Sequence, residues 1–150
     1  MADFKLVWDD TAQACDLELE TINNGTQDVD LVSQDDLITA TLISLLSDRV
    51  ADDDWSYTLD KRGWWGDAYN DRPIGSRLWQ LDILPTSDDA TYLTRAQGYV
   101  TEALSWLVDD RICKSVDCVA SFTDTRKTKL NLDITLTKAD DSQIRYAYVW

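Results

Sequence analysis

One stretch decides the fold: Leu130-Asn131-Leu132-Asp133-Ile134-Thr135-Leu136, in which apolar and polar side chains alternate without exception. Strict alternation is the pattern of a β-strand with one buried face. A polar turn over residues 138–142 follows, and residues 144–150 then place Ile144, Tyr146 and Tyr148 at every second position. Upstream, residues 113–122 alternate in part. We therefore predict a C-terminal, three-stranded antiparallel β-sheet.

Two main helices and a short one are predicted before this sheet. The longest should follow an N-cap at Thr86 or Ser87, because apolar residues recur at helical spacing from position 92 to position 108. An earlier helix should run over residues 37–46 and end near Asp48-Arg49. A short amphipathic helix over residues 74–84, with Leu78, Trp79 and Leu81 facing inward, should be stopped by Pro85.

The N-terminal part favours strands. Residues 4–8 and 15–20 alternate on either side of a polar turn, which predicts an N-terminal β-hairpin. The order of strands, helices and strands indicates an α+β fold. A chain of 150 residues fits a single domain over 1–150.

The charge excludes several classes of partner. Fourteen Lys and Arg against twenty-eight Asp and Glu give a net charge of -14. Nucleic-acid binding and attachment to anionic lipid both depend on Lys and Arg, so we expect no nucleic-acid partner and no membrane partner. No apolar run reaches the roughly 18 residues that a membrane helix needs, and no signal peptide is visible at the N-terminus.

The sequence offers no recognisable catalytic set. It contains no His, so Ser-His-Asp and Cys-His arrangements are impossible, and it has no phosphate-binding glycine loop. Three Cys without a C-x-x-C pair predict reduced thiols rather than a zinc site. Glu102 is the best isolated acid, and we expect it to be solvated. We predict no catalytic, cofactor-binding or metal-binding residues, no small-molecule substrate and no enzyme activity. The loop acids lack the spacing of a known calcium loop, and the sequence does not decide whether they bind calcium.

Residues 50–76 combine irregular sequence with many aromatic side chains. Such a segment must pack on its own core or on another protein. We predict that Trp64 or Trp65 packs it against the helices together with Arg62 and Arg77, and that the other Trp lies at an interface. Stacking of Trp64 and Trp65 on a sugar, as in a carbohydrate-binding module, is an alternative.

Two tryptophan-rich segments also carry a family resemblance: Arg62-Gly63-Trp64-Trp65-Gly66-Asp67 and Ile74-Gly75-Ser76-Arg77-Leu78-Trp79. Together with residues 42–54 and 103–110, they resemble the Mu-like phage baseplate family, and the resemblance spans the chain. That family is similar, more distantly, to the baseplate wedge protein of contractile T-even-type phages and to its type VI secretion counterpart.

The resemblance implies a structural subunit of the virion tail baseplate, made in the bacterial host cytoplasm. Proteins of this kind sit in the wedge around the central hub and nucleate the first sheath ring by lending strands to the sheath's arms. The implied partners are other wedge and hub proteins and the tail sheath. A peptidoglycan hydrolase carried by the tail remains an alternative.

We expect the structural and partner-binding residues to fall into three groups. The first lies at the ends of the two main helices, where Arg49 and Arg111 should form ion pairs or caps. The second belongs to the tryptophan-rich segments, and the third to the terminal strand, whose edge could receive another chain. The full set is Arg49, Arg62, Trp64, Trp65, Asp67, Arg77, Trp79, Arg111, Tyr146, Tyr148 and Trp150.

Overall fold

The computed structural model describes residues 3–4, 6–9, 11, 14–17, 19–23, 27–31, 33–34, 36–69, 72–84, 88–124 and 129–150. The chain divides into two compact units, Met1–Ile43 and Ser44–Trp150, which we describe one at a time. The single domain expected over the whole chain stays a prediction.

The described residues of the first unit form six short strands that pair two by two, all antiparallel. The pairs are β1 (Asp3–Phe4) with β6 (Ser33–Gln34), β2 (Leu6–Asp9) with β3 (Ala14–Leu17), and β4 (Leu19–Asn23) with β5 (Gln27–Leu31). The predicted N-terminal hairpin depends on connecting residues 10, 12 and 13, which lie outside the described residues. The hairpin therefore stays a prediction.

Helix α1 (Asp36–Leu46) ends two residues before the position that its sequence pattern indicates. Its apolar stripe is buried at Leu37, Leu42 and Leu45. Thr41 is also buried, and its hydroxyl donates a hydrogen bond of 2.8 Å to the carbonyl oxygen of Leu37. The helix thus satisfies a polar side chain that it could not otherwise bury without loss of stability.

Helix α2 (Asp89–Ala103) begins after Asp88, so the predicted N-cap at Thr86 or Ser87 is wrong. Asp88 accepts hydrogen bonds from the backbone N–H of Thr91 at 2.7 Å and from its hydroxyl at 3.0 Å. These bonds lower the pKa of the Asp88 carboxyl. A carboxylate at this position also complements the positive end of the helix dipole.

The predicted continuous helix is interrupted at Leu104, and α3 (Ser105–Asp109) follows. Leu104 is fully buried and has φ -101° and ψ 2°, outside the helical range. Its N–H still bonds to the carbonyl oxygen of Val100. A helical hydrophobic period continues across such a break, which explains why the pattern alone did not reveal it.

The predicted short helix over residues 74–84 is shorter than expected and of a tighter type. The structure has a 3₁₀ helix at Leu78–Asp82, preceded by another at Trp65–Tyr69. Four consecutive residues, Leu78 to Leu81, are buried, whereas an amphipathic α-helix would expose some of them. Pro85, the expected stop, lies outside the described residues.

The three C-terminal strands confirm the predicted sheet: β7 (Cys113–Phe122), β8 (Leu130–Lys138) and β9 (Gln143–Val149), in the order β7-β8-β9 and antiparallel. Leu132, Ile134 and Leu136 of the central strand are almost completely buried. Helices α2 and α3 pack against β7, and Tyr92 of α2 stacks on Phe122 with ring centroids 5.7 Å apart. The helices and this sheet give an α+β fold.

Two cysteines of the sheet are free thiols, as expected: Cys113 is buried and Cys118 is half-buried. Burial raises the pKa of Cys118 to about 11, and the charge of Asp133 adds to the shift. Burial also raises the pKa of Cys113. The third, Cys15, has a side chain outside the described set.

The first testable prediction concerns the reactivity of Cys118. With a pKa of about 11, roughly one thiol in a thousand is ionised at pH 8, and only the thiolate reacts rapidly with alkylating agents. Iodoacetamide should therefore label Cys118 at least about 100-fold more slowly in the folded chain than in the chain unfolded by guanidinium. Peptide mass spectrometry measures both rates at the same residue, and equal rates would contradict the buried site.

Candidate functional site

The tryptophan-rich region is tied to the end of α1 by Ser76. The N–H of Ser76 donates to the carbonyl oxygen of Ser47 at 2.8 Å, and its own carbonyl oxygen accepts from the N–H of Arg49 at 2.9 Å. Gly75 beside it has φ +103°, and a Cβ at that position would lie 2.4 Å from the Ser47 oxygen. The Gly-Ser pair therefore permits a close approach that any larger residue would prevent.

Arg77 joins the same region to α2. Its Nε donates to Oε2 of Glu102 at 2.9 Å and its Nη2 to Oε1 at 2.5 Å, while Nη1 donates to Asp52. The side chain of Arg77 is only 19% exposed. The hydrogen bonds to Glu102 are the main cause that raises the Arg77 pKa. This bidentate arrangement fixes both direction and distance between the loop and the helix.

Glu102 was missed by sequence reasoning, which expected it to be solvated. The structure instead makes it the shared acceptor of Arg77 and of Arg49, whose Nη2 lies 3.8 Å from Oε1. Its partners are distant in sequence, so only the tertiary structure brings them together. The expected ion-pairing role of Arg49 agrees with this geometry.

Arg111 was expected to form an ion pair or a cap like Arg49, but the structure gives it a different role. Its backbone has φ +60°, and its N–H donates to the carbonyl oxygen of Val108 at 3.0 Å as the chain leaves α3. Within the described part of the chain, its guanidinium forms no ion pair. Asp48, which precedes Arg49 just after α1, pairs with Arg62 at 2.8 Å.

Trp79 is the tryptophan that packs the region, so the expectation of Trp64 or Trp65 is corrected. Trp79 is 2% exposed, and its indole N–H donates to the carbonyl oxygen of Arg49 at 2.9 Å. Trp55 meets it edge-on, with ring centroids 5.3 Å apart, and the Arg62 guanidinium lies 4.8 Å from the Trp79 ring. Arg62 and Arg77 thus help to hold the region in place as expected, but the packed indole is that of Trp79.

Trp64 and Trp65 both reach the surface, with 41% and 78% of their area exposed. Their ring centroids are 5.5 Å apart and the ring planes are tilted by 48°. Trp64 lies so close over Gly66 that a Cβ there would come within 2.3 Å of the indole. The glycine therefore positions Trp64.

Asp67 closes the turn that links the two motifs. One of its carboxylate oxygens, Oδ1, accepts from the N–H of Ile74 at 3.0 Å, and its own N–H donates to the carbonyl oxygen of Trp64 at 3.0 Å. The other oxygen, Oδ2, is buried with no hydrogen-bond donor among the described residues. Asp67 therefore stabilises the backbone conformation of the loop and does not contribute to its exposed surface.

We call residues 55–69 the aromatic loop, because several of its large apolar side chains are exposed. These are Tyr57, Leu59, Trp64, Trp65 and Tyr69. Exposed aromatic side chains concentrated in one short stretch are typical of a surface that binds a partner.

The end of strand β9 forms a second candidate surface. Tyr146 and Tyr148 are half-buried, with ring centroids 6.2 Å apart, and stand opposite Ile134 and Leu132 of β8. Trp150 continues the ladder, since its backbone exchanges hydrogen bonds of 2.7 and 2.9 Å with Leu130. The three aromatic residues therefore extend the core face of the sheet to its edge.

Metal binding finds no support in this geometry. Across residues 36–69, 72–84, 88–124 and 129–150, no group of three acidic or cysteine side chains is placed to hold an ion. Two of the loop acids considered for calcium have other partners: Asp52 pairs with Arg77, and Asp67 accepts a hydrogen bond from the N–H of Ile74. No helix in the described part is long and apolar enough to cross a membrane.

Comparison with known proteins places the chain among phage proteins. Residues 37–143 match the family described as Phage protein GP46, and the chain belongs to that family. It is 42% identical over 125 residues to the baseplate protein gp46 of Escherichia phage Mu, covering 80% of this chain and 82% of that protein. It is 37% identical over 128 residues to the Mu-like prophage FluMu protein gp46 of Haemophilus influenzae, covering 81% and 87%. The resemblance read from the tryptophan-rich motifs is thus confirmed.

The tryptophans can be separated by stability measurements. Trp79→Ala should lower the free energy of unfolding by about 3–5 kcal/mol, because it empties a buried aromatic site. Trp65→Ala should change it by no more than about 0.5 kcal/mol, because most of that side chain is already in water. Denaturant titration followed by circular dichroism measures both, and equal losses for the two variants would refute the assignment of Trp79 as the packing residue.

The Arg77–Glu102 contact can be measured with a double-mutant cycle. Arg77→Met and Glu102→Leu should each lower the free energy of unfolding by about 1–3 kcal/mol, since each leaves a partly buried charge without its partner. The double variant should lose less than the sum, with a coupling energy of about 1–3 kcal/mol. Arg72→Met is the matched control, because Arg72 pairs with Asp110 on the exposed surface, and it should lose less. A coupling energy near zero would show that the contact does not join the loop to α2.

Proposed function

We propose that this chain is a structural subunit of a contractile tail baseplate, a wedge component that helps to nucleate the tail sheath. The observation that carries the proposal is the outer edge of β9, which pairs with no further strand among the described residues and could receive one from another chain. The printed names of the Mu and FluMu relatives support the baseplate location.

The hydrogen-bond pattern identifies which backbone groups of β9 face outward. Leu130 and Trp150 exchange both of their backbone hydrogen bonds, so the residues that face β8 alternate back from Trp150. The outward groups therefore belong to Gln143, Arg145, Ala147 and Val149. In the part of the chain that the structure describes, β9 pairs with β8 alone. A ladder of free donors and acceptors is a template for a partner strand.

The two edges of the sheet differ in how well they are protected. On β7 the register shifts between Cys113 and Ser115, and Lys114 stands at this irregularity in an ion pair with Asp141. A bulge and a charge are common means of blocking an edge. Strand β9 keeps a regular register with β8 over its whole length. Strand addition therefore favours β9 over β7.

The side chains of β9 agree with the same role. Ile144, Tyr146 and Tyr148 share a face with the buried residues of β8, yet they remain half-buried at the edge. A further strand would cover their exposed parts and extend the core face by one strand. Main-chain hydrogen bonds would supply affinity, and the aromatic side chains would supply specificity.

We propose no catalytic role for the chain. Glu102 was the best isolated acid, and both of its oxygens are bound by the Arg77 guanidinium. The tilted rings of Trp64 and Trp65 do not form one flat platform of the kind on which a sugar stacks. The partners we propose are other wedge and hub proteins and the tail sheath, in a particle assembled in the bacterial host cytoplasm.

The edge of β9 can be blocked without disturbing its pairing with β8. Ala147→Pro removes an N–H that faces outward, and edge strands tolerate proline at such positions. Ala147→Thr is the matched control, because it keeps the N–H at the same exposed position. In a pull-down with the cognate sheath protein, Ala147→Pro should recruit about tenfold less sheath than the unsubstituted chain, and Ala147→Thr should recruit it normally.

Two results would contradict this proposal. Equal recruitment by the proline variant and the threonine control, both folded, would mean that β9 is not the docking edge. Clearing of peptidoglycan by the purified chain above a buffer control would mean that the chain is a hydrolase carried by the tail.

A further inference from the structure

We propose that the aromatic loop docks through Trp65 into an apolar pocket of a partner protein whose rim is rich in Lys and Arg. This inference rests on the proposed structural role, because it takes the partner to be another protein of the same tail. It concerns a surface separate in sequence from the β9 edge, and it predicts side-chain recognition instead of strand addition.

Trp65 is held ready for such an interaction. Gly63, with φ +105°, lies so close to Val50 that a Cβ would be 2.9 Å from the Val50 Cβ, and Gly66 lies under the Trp64 ring. The N–H of Asp67 bonds to the Trp64 carbonyl oxygen, which shapes the 3₁₀ helix on which Trp65 lies. A fixed backbone means that little conformational freedom is lost on binding. An exposed indole on such a support is the typical anchor of a protein interface.

The charge of the segment that includes the aromatic loop defines the partner's surface. Residues 55–69 alone are neutral, but with the acidic run Asp52 to Asp54 residues 50–69 contain five Asp against one Lys and one Arg, a net charge of -3. Both positive charges are already paired, Arg62 with Asp48 at 2.8 Å and Lys61 with Asp53 at 3.8 Å. Asp53 and Asp54 are exposed. A complementary surface is therefore basic around its apolar centre.

A second copy of this chain does not fit that description. Its net charge of -14 would oppose approach of the acidic segment at residues 50–69. A carbohydrate does not fit either, because the two indoles are tilted by 48° and offer no single flat stacking surface. A basic protein surface satisfies both the apolar and the electrostatic requirement.

The test measures how much of the chain enters purified tails of the phage or prophage that encodes it. Trp65→Ala should reduce incorporation about tenfold or more, as expected for loss of an anchor residue. Asp53→Lys combined with Asp54→Lys should reduce it as well, by reversing the charge of the acidic run that precedes the loop. Val119→Ala is the matched control, since Val119 is an exposed apolar residue on β7, and it should incorporate normally.

A second measurement identifies the occupant directly. The photoreactive amino acid p-benzoylphenylalanine, placed at position 65 of the full chain, should crosslink within assembled tails to another tail protein at an apolar segment flanked by Lys or Arg. This readout stays informative even if an alanine variant folds poorly. Thermal unfolding of each purified variant checks its fold.

Four results would overturn the inference. Normal incorporation of Trp65→Ala, a crosslink to a second copy of the chain, the absence of any crosslink, or a saturable tryptophan-fluorescence response to peptidoglycan oligosaccharides would each do so. Absence of the unsubstituted chain from tails would instead overturn the proposed function itself, and this inference with it.

Discussion

The bidentate contact between Arg77 and Glu102 is the interaction on which the arrangement of the tryptophan-rich region depends. Among the described residues 48–69 and 72–76, the structure has one short 3₁₀ helix, Trp65–Tyr69, and few buried side chains, so this segment cannot fix its own position. Hydrogen bonds to charged groups contribute about 1.5–3 kcal/mol when partly buried, against almost nothing for an exposed ion pair. Because the pair lies largely out of water, it can anchor this segment to α2. Ser76 then closes the base of the loop, and Trp79 fills the space beneath it.

The parts of the fold that sequence reasoning predicted are those whose signal is local. Alternation over residues 130–136 indicated β8, and the two flanking strands followed from the same period. The break at Leu104 could not be predicted in this way, because a buried residue keeps the hydrophobic period whether or not its backbone is helical. The sequence predicted the N-cap one or two residues too early, because Thr86, Ser87 and Asp88 are all good capping residues. The structure selects Asp88, whose carboxylate accepts from the N–H and the hydroxyl of Thr91, and capping preference alone does not distinguish it from its neighbours.

The sequence predicted which types of residue form the site, but not which tryptophan packs the loop. The sequence indicated that one tryptophan packs the loop and another faces a partner, and it named both motif arginines. It placed Trp79 inward on the short helix, which its 2% exposure confirms, but it did not connect Trp79 with the packing of the loop, because that contact joins residues distant in sequence. The glycines carried the missing information: Gly66 leaves room for the ring of Trp64, and Gly75 allows the approach to Ser47 that brings Trp79 inside. No local sequence pattern predicted the role of Glu102, because its two partners, Arg49 and Arg77, are distant from it in sequence.

The acidity of the chain explains how two surfaces that favour self-association can coexist on one small protein. A regular strand edge and a set of exposed indoles are each liable to cause self-association. A net charge of -14 opposes every encounter between identical copies, but it favours encounter with a basic surface. The charge therefore does not merely keep the chain dispersed. In the docking that we propose, it also makes productive contact depend on a partner of opposite sign, after which backbone hydrogen bonds at β9 and burial of Trp65 would act at short range. Selection by charge at long range followed by shape at short range would give assembly a defined order without any covalent or catalytic step.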